Sequence, residues 1–94
     1  MPPLELELDP GLLAQLRALP KAERVKIGAI LNRLRTSFGR PHEHRGLGVR
    51  SLGAGVYECR HGLALRLVFQ VEAGTLYVHF MGTHDEVRRF LRKL

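Results

Sequence analysis

The stretch of sequence that decides the fold is residues 63–71, which read LALRLVFQV. Every second residue from Leu63 to Val71 is apolar, and this period of two predicts a β-strand with one fully buried face. Arg66 lies in the middle of the strand, on its other face. The sequence leaves two interpretations of this cation open: a structural ion pair with a neighbour such as Glu58, or a function on an open surface of the sheet.

Further strand-like runs surround this one in the C-terminal half of the chain. Residues 56–60 and 76–81 flank it, and turn residues at 61–62 and 72–74 separate the three runs as hairpins. A shorter run near 49–52 precedes them in a glycine-rich part of the chain. Together these runs predict an antiparallel meander of strands.

The N-terminal part begins with alternating leucine and glutamate at positions 4–8, which predicts a short strand with one buried face. Asp9 and Pro10 follow, and they are typical of an N-cap residue and a proline at the first helical position. Leucines at helical spacing continue up to Pro20, which ends this first helix and begins the next.

Two more helices are indicated. The second helix should cover residues 20–38, because apolar side chains form one stripe along it. The stripe consists of Ile27, Ile30, Leu31, Leu34 and Phe38. Near the C-terminus, Thr83 stands three residues before Glu86, which is the spacing of a capping box and predicts a short final helix.

The order of these elements predicts an α+β fold in a single domain of residues 1–94. A strand and two helices come first, then a run of strands, then one short helix. We therefore expect an antiparallel twisted sheet with an N-terminal helical hairpin on one face and a short C-terminal helix. The face opposite the hairpin can then stay open to solvent or to a ligand.

The charge of the chain indicates which class of molecule it binds. Fifteen Lys and Arg residues against nine Asp and Glu residues give a net charge of +6, and twelve of the fifteen cations are Arg. Arg contacts phosphate in a planar, bidentate way and stacks on bases, so nucleic acid is favoured over a merely solubilising surface. A single cysteine and the absence of a signal peptide or membrane-length apolar stretch predict a cytoplasmic protein without membrane contact.

Several classes of site lack support in the sequence. The chain contains no Ser-His-Asp arrangement, phosphate-binding loop or dinucleotide fingerprint. His42 and His44 flank Glu43, and Cys59 and His61 could add metal ligands, but this spacing matches no common zinc pattern. We therefore expect neither a metal nor a cofactor.

Basic residues on neighbouring strands converge near Arg66. Arg50 and Arg60 lie on the two preceding strand-like runs. A two-residue turn after the strand of Arg60 would place Tyr57 opposite Arg66 and turn Arg60 towards the helices, whereas a three-residue turn would reverse that orientation. The sequence leaves both registers open, but in either one the cations form the kind of concavity that binds phosphate.

Three segments resemble the toxins of the RelE/ParE superfamily: Tyr57-Glu58-Cys59-Arg60, Leu65-Arg66-Leu67-Val68-Phe69, and Gly82-Thr83-His84-Asp85-Glu86-Val87. With the helical hairpin, the resemblance covers nearly the whole chain. It implies a microbial RNase-like fold and the toxin half of a type II toxin–antitoxin system. The expected activity is ribosome-dependent cleavage of mRNA, with an antitoxin, the ribosome and mRNA as partners. The alternatives are a ParE-like inhibitor of DNA gyrase and a non-catalytic binding module.

The resemblance also implies roles for individual residues. Arg66 would contact the scissile phosphate, Arg60 would stabilise the transition state, His84 would act as general acid, and Glu43 lies where some members place a general base. The candidates for RNA binding are Arg50, Arg45, His44, Arg88 and Arg89. The chain departs from the family at two points: no tyrosine follows Tyr77, and Glu58 stands where some relatives carry lysine.

Overall fold

The structure is a computed structural model, and it describes residues 3–38, 47–61 and 65–93. The helices and strands of these ranges are β1 (Glu5–Leu8), α1 (Pro10–Ala18), α2 (Lys21–Ser37), β2 (Arg50–Gly53), β3 (Val56–His61), β4 (Leu65–Glu72), β5 (Thr75–Gly82) and α3 (His84–Leu91). This order confirms the α+β fold class and the short final helix.

The sheet is mixed rather than wholly antiparallel. Its strand order is β1-β5-β4-β3-β2, in which β2 to β5 form the predicted antiparallel meander. β1 instead pairs parallel with β5 and becomes one edge of the sheet. The predicted antiparallel arrangement does not extend to this edge, because pairing between strands far apart in sequence leaves no local signal in either strand.

The helical hairpin begins as the sequence predicts and packs on one face of the sheet. The Asp9 carboxylate accepts a hydrogen bond from the Gly11 amide at 2.8 Å, with Pro10 in the first helical turn. The α2 stripe packs against Cys59, Leu67 and Phe69 of the sheet in the larger core cluster. None of the described helices combines the length and the apolar character that a membrane crossing requires.

A β-bulge in β5 lets that strand contribute side chains to two cores. Val68 pairs with Phe80 and Phe69 pairs with Val78, so His79 is the extra residue on β5. Val78 consequently belongs to the core under the hairpin, and Phe80 packs into a second cluster on the opposite face. Simple alternation would have placed both side chains on one face.

Helix α3 covers part of the face that the sequence left open. Val87 packs against Val56 and Val68, and the Phe90 ring stacks on Phe80 with centroids 4.9 Å apart and planes inclined by 3°. The apolar side of α3 would otherwise face water, which explains why the helix folds back onto the sheet. The expected open face is therefore limited to the part that this helix does not cover.

Candidate functional site

The strand register resolves the orientation that the sequence left open. Arg60 pairs directly with Arg66, which gives Arg60 the orientation expected for the longer of the two turns, and Arg50 pairs with Glu58. These four residues alternate along their strands with residues of the hairpin core, such as Cys59 and Leu67. They therefore lie on the face opposite the hairpin, and we call Arg50, Glu58, Arg60 and Arg66 the arginine face.

A buried carboxylate holds two of the three arginines. Glu58 Oε1 accepts a hydrogen bond from Arg66 Nη1 at 2.9 Å and lies 2.9 Å from Arg50 Nη2. The Glu58 side chain is 3% exposed, that of Arg66 15% and that of Arg50 58%. Of the two interpretations of Arg66, the ion pair with Glu58 is present, on the face where a ligand could also reach the guanidinium from solvent.

The arginine face keeps a positive balance after this pairing, since three guanidinium groups face one carboxylate. The Arg60 side chain is exposed, and the carboxylate of this face contacts Arg50 and Arg66. Gly48 crosses close to Arg60, because a Cβ at that glycine would lie 3.3 Å from the Arg60 Cγ. The charge of Arg60 therefore faces solvent, and the backbone at Gly48 lies close to the aliphatic part of its side chain.

The C-terminal end of β5 brings His84 towards the arginine face. Gly82 pairs with Arg66, and α3 begins two residues later at His84, whose side chain is exposed. Two residues of extended chain span at most about 7 Å. His84 thus stands at the first helical position, near the cross-strand neighbour of Arg66.

A capping box fixes the start of α3. Thr83 Oγ1 accepts a hydrogen bond from the Glu86 amide at 3.3 Å, and the Thr83 amide donates to Glu86 Oε1 at 2.9 Å. The bonds from the Thr83 backbone and side chain, helped by the charge of Arg89, hold the pKa of Glu86 below its usual value. The predicted capping box is therefore confirmed, and it anchors the helix end that carries His84.

Helix α3 adds a second group of cations. Arg88 and Arg89 are exposed and, with Asp85 and Arg92, line a surface cleft of about 480 Å³. Arg92 was not among the residues predicted from the sequence, although its spacing of four residues from Arg88 places it on the same side of the helix. Lys93 lines a neighbouring cleft of about 270 Å³ together with the stacked rings Phe80 and Phe90. The basic residues of α3 thus border an aromatic surface.

Part of the predicted site lies outside the described residues. These positions are Glu43, His44 and Arg45, together with His42 of the metal alternative. Cys59, which that alternative also uses, is fully buried under the hairpin, and burial raises the pKa of its thiol to about 12. Within the ranges that the structure describes, no three His, Cys, Asp or Glu side chains are grouped as a metal site requires.

This arrangement is suited to holding an anion. Guanidinium groups stabilise negative charge on phosphate oxygens without a metal, and an exposed imidazole can transfer a proton. Glu58 is a poor candidate for a general base, because its carboxylate is buried and already contacts two guanidinium groups.

Solved structures share this architecture. The sequence itself matches no protein-family model and none of the curated proteins. The RelE–RelB complex from the archaeon Pyrococcus horikoshii has a chain that is 19% identical, with a TM-score of 0.71, over 88% of this chain and 96% of that one. A free mutant of E. coli RelE is 18% identical, with a TM-score of 0.68, over 98% of each chain.

The YoeB–YefM complex from Staphylococcus aureus gives a third match, at 22% identity and a TM-score of 0.63, over 86% of this chain and 97% of that one. The matches extend over nearly the full length of both partners, and they include the helical hairpin as well as the sheet. The resemblance that the three sequence segments indicated is thus confirmed at the level of architecture. The chain has the RelE fold.

Proposed function

We propose that residues 1–94 form a single-domain toxin of a type II toxin–antitoxin system, which cleaves mRNA on the ribosome in the cytoplasm without a metal. The observation that carries this proposal is the arginine face, where Arg50, Arg60 and Arg66 share one surface of the sheet beside the start of α3. A row of guanidinium groups next to an exposed histidine is suited to a phosphodiester backbone.

In the proposed reaction, the cleavage is a transesterification. The 2′-OH of RNA loses its proton and attacks the adjacent phosphorus, and the 5′-oxygen leaves with a proton. Arg66 and Arg60 stabilise the additional charge on the phosphorane, and His84 donates the proton to the leaving oxygen. Glu43 is the proposed general base.

The proposed RNA contacts extend the site beyond the reacting phosphate. Arg50 on the arginine face and Arg88 and Arg89 on α3 would bind neighbouring phosphates, as would Arg45 and His44. Such contacts position the RNA without reading its sequence. They predict an affinity that falls steeply with salt.

An antitoxin is the proposed protein partner. Two of the solved structures with this fold are complexes of RelE with RelB and of YoeB with YefM. The net charge of +6 favours an acidic partner, which can be partly disordered and fold when it binds. Expression of the chain alone should arrest growth, and co-expression of the proposed antitoxin should restore it.

Toe-print mapping in a purified translation system tests the catalytic proposal. The protein should produce cuts in the ribosomal A site, and Arg66→Ala should lower the rate of cutting by about 10²–10³, the usual cost of losing a group that stabilises transition-state charge. Arg24→Ala removes the same charge from an exposed position of α2 and should cut like the unchanged protein. Intact mRNA with the unchanged protein would refute the proposal.

The Arg66–Glu58 ion pair favours a second candidate function, because an arginine held by a carboxylate can be purely structural. The chain would then be a ParE-like inhibitor of gyrase or a non-catalytic binding module. A supercoiling assay separates these functions from cleavage. Inhibition of gyrase that persists in Arg66→Ala, with mRNA left intact, would favour the ParE-like function.

A further inference from the structure

We propose that Glu58 is a built-in competitor for phosphate on the arginine face, and that it sets the affinity of this face for RNA. The inference rests on the proposed function in one respect, since it takes the phosphodiester backbone as the ligand. It assigns to Glu58 a role in specificity, which is separate from catalysis.

The geometry around Glu58 resembles a bound anion. One oxygen, Oε1, lies 2.9 Å from both Arg66 Nη1 and Arg50 Nη2. A phosphate oxygen held by two arginines would take the same kind of position, because charge-assisted N–H···O contacts are about 2.7–2.9 Å long. The carboxylate therefore already fills a place that a phosphate oxygen could take between β2 and β4.

The strand register explains how Glu58 reaches both arginines. Arg50 is the direct cross-strand neighbour of Glu58 on β2, and Arg66 reaches it diagonally from β4, two residue pairs further along. The Glu58 side chain is 3% exposed, so its carboxylate lies between the two arginines rather than in solvent. A phosphate must instead share Arg66 and Arg50 with Glu58 or bind first to the exposed Arg60.

This competition has a consequence for selectivity. A single phosphate binds weakly, because two of the three guanidinium groups are already partly neutralised. RNA that reaches Arg60 and the α3 cations at the same time makes several interactions together and can overcome the competitor. Glu58 thus discriminates against isolated phosphates and short, flexible RNA.

Removing the charge of Glu58 should tighten RNA binding. We expect Glu58→Gln to bind a 2′-O-methyl RNA hexamer, which cannot undergo transesterification, about tenfold more tightly in fluorescence anisotropy, the effect of roughly one additional charge-assisted hydrogen bond. The plot of log affinity against log salt should steepen by about 0.7 for each additional phosphate that the protein neutralises. A purely structural glutamate would leave this slope unchanged or make it shallower.

Glu72→Gln is the matched control, because it changes the net charge by the same amount at the exposed end of β4. It should tighten binding less than about twofold, since a distant surface charge acts only through screened, long-range attraction. If Glu58→Gln binds the hexamer no more tightly than Glu72→Gln, the inference is overturned.

A measurement on the unchanged protein covers the case in which Glu58→Gln does not fold. Saturation with the hexamer should shift the side-chain NMR signals of Arg66 and the carboxyl signal of Glu58, because the phosphate displaces part of their ion pair. Unchanged signals at saturation would overturn the inference. The proposed cleavage can be refuted separately. If mRNA stays intact on the ribosome but Glu58→Gln binds the hexamer more tightly, the role of Glu58 as a competitor stands and the nuclease activity is refuted.

Discussion

Arg60 and Arg66 lie directly opposite each other on β3 and β4, so two like charges are cross-strand neighbours on one face of the sheet. Like charges directly opposite each other destabilise a sheet. Glu58 contacts Arg66, so it neutralises only part of the charge of this pair. Stability alone would favour a polar, uncharged residue at position 60. The retained charge fits a surface that is completed by an anion.

Replacing Arg60 should therefore stabilise the protein and weaken its binding to RNA. We expect Arg60→Gln to raise the free energy of unfolding by about 0.2–1 kcal/mol, because it removes the cross-strand repulsion and keeps most of the stem. The same variant should bind the RNA hexamer more weakly and with a shallower salt dependence. Urea denaturation and fluorescence anisotropy measure the two effects on one sample.

Arg24→Gln is the control for this change in charge, because Arg24 is exposed on α2. Its stability and its RNA affinity should both stay close to those of the unchanged protein. A loss of stability in Arg60→Gln would show that Arg60 contributes to packing and would contradict the proposed conflict between charge and stability.

The turn between β4 and β5 should be improvable by one substitution. Glu72 pairs with Thr75, so Ala73 and Gly74 form a two-residue connection, and their φ angles are +50° and +80°. A type I′ turn of this kind favours asparagine before glycine, whereas alanine is strained at positive φ. Ala73→Asn should raise the free energy of unfolding by about 0.5–1 kcal/mol.

Thermal unfolding measures this effect, and a rise of about 1 kcal/mol would increase Tm by about 4–8 °C in a domain of this size. Ala29→Asn makes the same chemical change on the exposed side of α2, where asparagine is a weaker helix former than alanine. It should lower Tm, so two substitutions of opposite sign test the assigned turn. Equal shifts in both variants would contradict the assignment.

Local signals in the sequence were sufficient for the helix ends and the hairpin strands. Asp9 and Pro10 define the start of α1, and Thr83 and Glu86 define the start of α3, because each pair makes its contacts within one helical turn. The alternation around Arg66 likewise identified the central strand and the face of the sheet on which that arginine lies.

Features that depend on distant parts of the chain were not predictable in this way. The parallel pairing of β1 with β5 joins two strands that are separated by most of the chain. The bulge at His79 changes the face on which Phe80 lies, and α3 packs against Phe80 on that face. The shared orientation of Arg60 and Arg66 depends on the register of one hairpin, for which the sequence allowed two solutions.

The capping box of α3 should give the stability a defined dependence on pH. The bonds from Thr83 hold the pKa of Glu86 below its usual value of 4.5. A lowered folded-state pKa contributes stability above the unfolded value, and this contribution is lost as the pH falls through the folded value. The difference in free energy of unfolding between the unchanged protein and Glu86→Gln should therefore be constant near pH 7 and decrease below about pH 4.5.

Urea denaturation between pH 7 and pH 3 measures this difference. Thr83→Ala removes the side-chain contribution that lowers the Glu86 pKa and keeps the larger one from the Thr83 backbone amide. The difference between Thr83→Ala and the double variant Thr83→Ala/Glu86→Gln should therefore depend less on pH but keep the same sign. A difference that increases as the pH falls would have the opposite sign and would exclude the capping carboxylate as its source.

The position of α3 relative to the arginine face should depend on Gly82. A Cβ at this position would lie 2.8 Å from Phe80 Cε1 and 3.0 Å from the Glu86 Cβ, so Gly82→Ala must displace the ring or the first turn of the helix. We expect the free energy of unfolding to fall by about 1–3 kcal/mol, the usual cost of overpacking a well-filled contact. The rate of the proposed mRNA cleavage should also fall, because His84 would move relative to Arg66.

Gly28→Ala distinguishes this steric effect from a general effect of adding a methyl group. Gly28 lies in α2 with nothing within 4 Å of the added Cβ, and alanine is the stronger helix former, so this variant should be more stable by about 0.8–1.0 kcal/mol. The proposed cleavage of mRNA should be unchanged in this variant, since α2 lies on the other side of the sheet. If Gly82→Ala and Gly28→Ala cleave mRNA at the same rate, the position of α3 does not control the proposed active site. His84 would then act independently of the Gly82 contact or not at all.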